Sequence, residues 1–95
     1  MNYLQELGFT QEQINEIASN NHQLVVEKLS MKPKLVEMNL SFLRDLGVTN
    51  FKEIFVNYSE IFLKEPTVFK DIFLKYDRED LVAKLLRNMA IIVRL

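Results

Sequence analysis

Cysteine and tryptophan are missing from this 95-residue chain, histidine occurs once, and there are only two glycines and two prolines. Without cysteine no disulfide can staple the fold, and no thiolate can act as a nucleophile or bind a soft metal. So little glycine and proline, with no repeat of either, excludes collagen-like and low-complexity chains. An excess of charge of one sign is lacking too. Twelve Lys and Arg face thirteen Asp and Glu, a formal net charge of -1 at pH 7. Nucleic acid or an anionic membrane would therefore need a local basic patch, since there is no overall attraction. No unbroken apolar stretch approaches the ~20 residues that cross a bilayer. Glu6 stands where a signal peptide would carry Lys or Arg ahead of an apolar run. These absences together predict a cytosolic protein with no membrane partner.

Apolar side chains, by contrast, are plentiful: 48% of residues are hydrophobic and 26% charged. A chain of this size buries roughly 60 to 65% of its unfolded surface, enough for one core with little surplus for a deep catalytic cleft. The apolar residues recur at helical spacing almost throughout, which predicts an all-α fold forming a single domain over residues 1–95. A short helix from Asn2 to Leu7 should close at Gly8, where a missing Cβ permits left-handed backbone. Thr10 and Gln13 have capping-box spacing for the next helix, whose stripe is Ile14, Ile17 and Ala18. After Asn20 and Asn21, an apolar segment from Leu24 to Leu29 leads to Pro33, a good first residue for a longer helix that should stop at Gly47. Asp77 is the expected N-cap of a last helix bearing Leu81, Val82, Leu85, Leu86, Met89, Ile92 and Val93.

The second half echoes the first. Thr49 follows Gly47 much as Thr10 follows Gly8. Phe51, Ile54, Phe55, Ile61, Phe62 and Leu63 match Ile14, Ile17, Ala18, Leu24, Val25 and Val26 at one constant offset, and Pro66 corresponds to Pro33 at a shorter one. The pattern predicts two helical repeats, about 3–41 and about 42–76, followed by a C-terminal helix at about 78–95, in all about six or seven short helices.

Leu7-Gly8-Phe9-Thr10 and the run from Asn39 to Val48 resemble the helical repeat of the mitochondrial transcription termination factor family, over residues 3–76. The resemblance implies triple-helix repeats stacked into a curved solenoid, with nucleic acid held along a basic groove. His22 and Ser59 stand where that family usually has proline, and two repeats are fewer than it usually carries. Residues 2–30 also resemble a ubiquitin-associated three-helix module, through Tyr3-Leu4, Leu7-Gly8-Phe9, Thr10 to Gln13 and Val25, Val26 and Leu29. That resemblance implies that ubiquitin meets an exposed Phe9 in the Gly8-Phe9 loop.

Residues suited to catalysis are sparse. His22 lies in a polar turn, and none of the serines sits in a nucleophile elbow, so no catalytic residue is assigned. Asp77-Arg78-Glu79-Asp80 lacks the ligand spacing of a calcium loop, and the two glycines are too far apart for a phosphate cradle. No metal, cofactor or small-molecule substrate is expected, and the chain is read as a non-enzyme. Seven aromatic rings crowd residues 51–76, from Phe51 to Tyr76. They are expected to form the core, with Tyr58 and Tyr76 reaching the surface.

Two surface features remain. Lys84, Arg87 and Arg94 fall near one face of the last helix and are the candidate nucleic-acid contacts, with Lys28, Lys32 and Lys34 as a second small cluster. Ile91, Ile92 and Leu95, beside Val93, point in too many directions for one helix to bury them all. They are the candidate protein interface, with a homodimer through that helix as its simplest form. The function expected from the sequence is a small helical-repeat binding module for a protein partner or for itself, the alternative being nucleic-acid binding.

Overall fold

Two left-handed glycines divide the chain into layers of short helices. The computed structural model describes residues 1–95. It contains α1 (Tyr3–Glu6), α2 (Gln11–Asn20), α3 (Gln23–Met31), α4 (Pro33–Leu46), α5 (Phe51–Asn57), a 3-10 helix at Ser59–Leu63, α6 (Pro66–Leu74), α7 (Arg78–Arg87) and a second 3-10 helix at Met89–Arg94. The fold is all-α, as expected, with no strand. No helix is long and apolar enough to cross a membrane.

Gly8 and Gly47 have φ of 95° and 105°. Each closes its helix with the same pair of hydrogen bonds: Gly8 N–H to Gln5 O and Phe9 N–H to Leu4 O in one, Gly47 N–H to Arg44 O and Val48 N–H to Leu43 O in the other. This is the Schellman arrangement, and the apolar contact that accompanies it is supplied by Leu4 with Phe9 and by Leu43 with Val48, all four buried. The capping box at Thr10 and Gln13 forms as the spacing predicts. His22 and Asp77 cap α3 and α7 by accepting from Leu24 N–H and Asp80 N–H. Pro33 and Pro66 start α4 and α6.

Elements that correspond between the two halves lie against each other. α2 packs on α5, α3 on the first 3-10 helix, and α4 on α6. α2 and α5 run in the same direction, because Gly8 meets Lys52 at one end of the pair while Asn20 and Asn21 meet Val56 and Ser59 at the other. A chain of phenylalanine rings threads the layers, Phe9 to Phe55 to Phe62 to Phe69 to Phe73, with successive centroids 4.9 to 5.3 Å apart. Tilted and edge-on contacts at this range add about 0.5 to 1.5 kcal/mol per pair beyond burial of area. The aromatic cluster is therefore core, as expected, with Tyr58 half-buried and Tyr76 exposed.

Several expectations need correction. A repeat boundary between residues 41 and 42 would cut α4, which runs unbroken to the Gly47 turn. Thr49 is not a cap; Asn50 precedes α5, and its amide is committed to Leu85 O instead. Ala18 is exposed, although Ile17 beside it is fully buried. The last helix is not continuous: Asn88 leaves helical backbone at φ -153° and ψ 93°, and its side chain accepts from Ala90 N–H to start the second 3-10 helix. That break turns the terminal segment back onto α7 and buries Ile92. Phe9 is buried as well, so the Gly8-Phe9 turn offers no exposed ring to ubiquitin.

Candidate functional site

The largest concavity lies on the outer side of α4, where it meets α6. α4 is amphipathic by spacing: Val36, Asn39, Leu40 and Leu43 point inward and are buried, which leaves Lys34, Met38, Ser41 and Asp45 along the opposite side. Phe42 sits at the margin between the two faces. Its ring packs on Phe69 and Phe73 of α6, with centroids 6.2 and 6.1 Å away. Lys70 of α6 holds its Nζ 5.8 Å from the Phe42 ring centroid, and its flexible stem walls the far side. The result is an open cleft of about 460 Å³ lined by Lys34, Glu37, Met38, Ser41, Phe42, Asp45 and Lys70.

The floor is apolar and soft. Met38 is 52% exposed, and an unbranched thioether beside an aromatic ring can reshape itself to a partner's side chains. The rim carries both signs, with amines at Lys34 and Lys70 and carboxylates at Glu37 and Asp45. Asp45 pairs with the adjacent Arg44 at 3.1 Å, and both side chains are well exposed, so that pair adds little to stability. Lys34 and Asp45 also occupy the ends of α4 that the helix dipole disfavours, a cation on its second residue and an anion on its last but one.

Behind this face, Asn39 is fully buried and holds the two layers in register. Its Nδ2 donates to Phe62 O and Lys64 O, both at 2.9 Å, while its Oδ1 is buried without a partner. On the other side of the molecule, Asn21 Nδ2 donates to Ile17 O and to Ser59 Oγ at 2.8 and 3.2 Å. Tyr3 O–H donates to Leu29 O at 2.6 Å and pins α1 to α3. Burial raises the Tyr3 phenol to a pKa of about 12.

The candidate nucleic-acid contacts do not form one surface of one helix. Lys84 pairs with Asp80 one turn earlier at 2.9 Å, which neutralises it locally. Arg94 lies beyond the Asn88 break, so the register that aligns it with Arg87 is lost. Lys28, Lys32 and Lys34 are exposed where α3 passes into α4, and of these only Lys34 lines the cleft. Among the candidate interface residues Ile92 is core, Ile91 and Leu95 are half-buried, and their neighbour Val93 is 65% exposed. There is no group of three His, Cys, Asp or Glu side chains that could hold a metal ion.

The sequence alone does not single out the α4 cleft, although part of its signal is there. Lys34, Met38, Ser41 and Asp45 follow one another at spacings of four, three and four residues, the spacing of one helix face, although only Met38 among them is apolar. What the sequence does not display is Lys70, which reaches the cleft only because α6 stacks beside α4. The chain matches no protein-family model, no curated protein and no solved structure.

Proposed function

We propose that this chain is a non-catalytic helical binding module whose partner is a protein, held on the outer face of α4 and the adjoining edge of α6. The observation that carries this reading is the cleft's make-up, an apolar floor of Met38 and Phe42 inside a rim of both charge signs. A phosphate backbone favours a surface of one positive sign, and Glu37 and Asp45 would repel it. An amphipathic protein helix suits the cleft, because it offers an apolar stripe flanked by charges of either sign. The pairing of Lys84 with Asp80 further weakens the nucleic-acid alternative at the C-terminal helix.

Photo-crosslinking tests the reading in cells. A benzophenone side chain at position 41, within the cleft, should form protein adducts that are absent when it stands at exposed position 83 on α7. Equal adducts at both positions would overturn the reading. So would nucleic acid retained at physiological salt and released by Arg87→Ala with Arg94→Ala.

A further inference from the structure

We infer that the protein seated on α4 is a second copy of this chain, bound antiparallel across a two-fold axis that passes between Met38 and Ser41. The inference rests on the binding-module reading and names the partner. Its basis is the charge order along the outer face. Lys34 and Asp45 stand at equal distances either side of the midpoint between Met38 and Ser41. Turning a second α4 end for end therefore sets Lys34 against Asp45 of the second copy and Met38 against Ser41 of the second copy, and the symmetry repeats each contact.

The flanks agree with the same axis. In an antiparallel pair, residues on one flank meet the same flank of the partner. Glu37 and Arg44 share one flank of α4, two turns apart, so Glu37 comes opposite Arg44 of the second copy. Leu35 and Phe42 share the other flank, both half-buried in one copy, and come opposite each other in the same way. Each charge on the seam and on the Glu37 flank thus meets its opposite under one operation, whereas a parallel pairing would set like charges together. Arg44 gains Glu37 of the second copy when Asp45 turns to Lys34 of the second copy, so the exposed Arg44–Asp45 pair is exchanged without loss of ion pairs.

Placement against the helix dipole supports the same reading. A Lys at the start of a helix and an Asp at its end each weaken that helix. Residues that break a local rule without a compensating contact inside the fold mark places where another requirement operates. Lys34 makes no ion pair within the chain, and Asp45 has only its exposed neighbour Arg44. Across the two-fold axis each gains an oppositely charged partner.

Fourteen residues of α4 extend about 21 Å, or two heptads. An interface built on that length lies below about 1,200 Å² of total buried surface, in the range of weak and transient association. Sedimentation equilibrium of the purified chain into the millimolar range should show a reversible dimer. Lys34→Glu alone or Asp45→Lys alone should weaken it by about tenfold or more, because each sets like charges opposite each other twice. An equimolar mixture of the two single variants should associate again, as should the double variant Lys34→Glu with Asp45→Lys, since both restore opposite charges at every seam contact. Both replacements follow the helix dipole, so unfolding cannot explain a failure of rescue; helicity by circular dichroism checks this directly. A wild type that stays monomeric at millimolar concentration overturns the inference, as does a dimer indifferent to the single reversals or not rescued by the double one. Crosslinks at position 41 to other proteins, with a monomeric wild type, would leave the binding-module reading standing and remove the self-association alone.

Discussion

Lys52 of α5 donates from Nζ to the carbonyl oxygen of Gly8 at 3.2 Å and lies 5.9 Å from the ring centroid of Phe9. One side chain thus ties down the carbonyl of the left-handed residue and covers the buried ring beside it. The second glycine turn is secured in a similar way, by Arg78 Nε donating to Leu46 O at 2.7 Å. In both cases the cation comes from a later helix, so each turn is fixed only when the following layer is in place.

Alanine at either glycine must bear left-handed backbone, which costs about 1 kcal/mol. At position 8 the added Cβ would come within 2.7 Å of Lys52 Nζ, whereas at position 47 the nearest atom is 3.7 Å away. Gly8→Ala is therefore expected to lower stability more than Gly47→Ala, by the lost Lys52 bond. In a Lys52→Met background, where that bond is already absent, Gly8→Ala should cost no more than Gly47→Ala does in the wild type. Urea unfolding of the wild type, the three single variants and the double variant measures both effects.

Asn39→Ala should be among the most damaging polar substitutions. It strips partners from the carbonyls of Phe62 and Lys64 at a fully buried site, for a loss of about 2 to 4 kcal/mol. Thermal unfolding should show this, while Ser41→Ala on the outer side of the same helix should leave the midpoint nearly unchanged.

Tyr3 predicts an alkaline limb of the stability curve. Its phenol ionises at about 12 in the folded chain against 10.0 for the unperturbed group, so the folded state holds the proton more tightly. The contribution is complete below the unfolded value and is lost as pH rises from there toward 12. Tyr3→Phe should flatten that limb. At neutral pH it should cost about 1 kcal/mol, through the lost bond to Leu29 O. Urea midpoints measured from pH 8 to pH 11.5 decide it.

Neighbouring aliphatics at the chain's end should behave oppositely. Ile92→Asp puts a charge into the core and is expected to unfold the terminal 3-10 helix and destabilise the chain by several kcal/mol. Val93→Asp lies in solvent and should change stability by under about 0.5 kcal/mol. Chemical denaturation of the pair reports which side of the segment faces inward.

Lys34→Glu with Asp45→Lys, studied at low concentration where the chain is monomeric, should raise stability by about 0.5 to 1 kcal/mol, since both charges then complement the α4 dipole. High salt should erase most of the gain. A thermal midpoint that does not rise at low ionic strength would show that the present placement carries no strain for the helix.

Local chemistry made much of this fold readable in advance. The Leu-Gly turns, the Thr10 and Gln13 box, the Asp77 cap and the two helix-starting prolines each follow from properties of a few adjacent residues, and all form. The Asn88 break could not be read so directly, because Met89, Ile92 and Val93 continue a helical period across it. The hydrophobic pattern does not mark the break, since a continued helix would also keep Ile92 on the stripe of Leu81 and Leu85. The local sign is Asn88 itself, whose side chain accepts from Ala90 N–H and starts a new turn. The cleft divides in the same manner: its α4 side is a spacing in the sequence, while its α6 wall exists only through stacking. Asn39 reads as an ordinary polar position, and its burial follows from carbonyls that another layer leaves open.

Because corresponding helices lie side by side, the bonds that join the layers are long in sequence. Those from Asn20 to Val56, Asn21 to Ser59 and Lys52 to Gly8 span 36, 38 and 44 residues. Helical proteins whose spatial neighbours are also sequence neighbours fold fastest; here nearly half the chain must be looped before a layer meets its counterpart. During synthesis the first layer leaves the ribosome before α5, whose Phe55 packs on Phe9, and before the first 3-10 helix, which packs on α3. That interval exposes the nascent chain to chaperone capture or aggregation, and substitutions that delay the second layer should show in cells as lower yield before they show in vitro as lower stability.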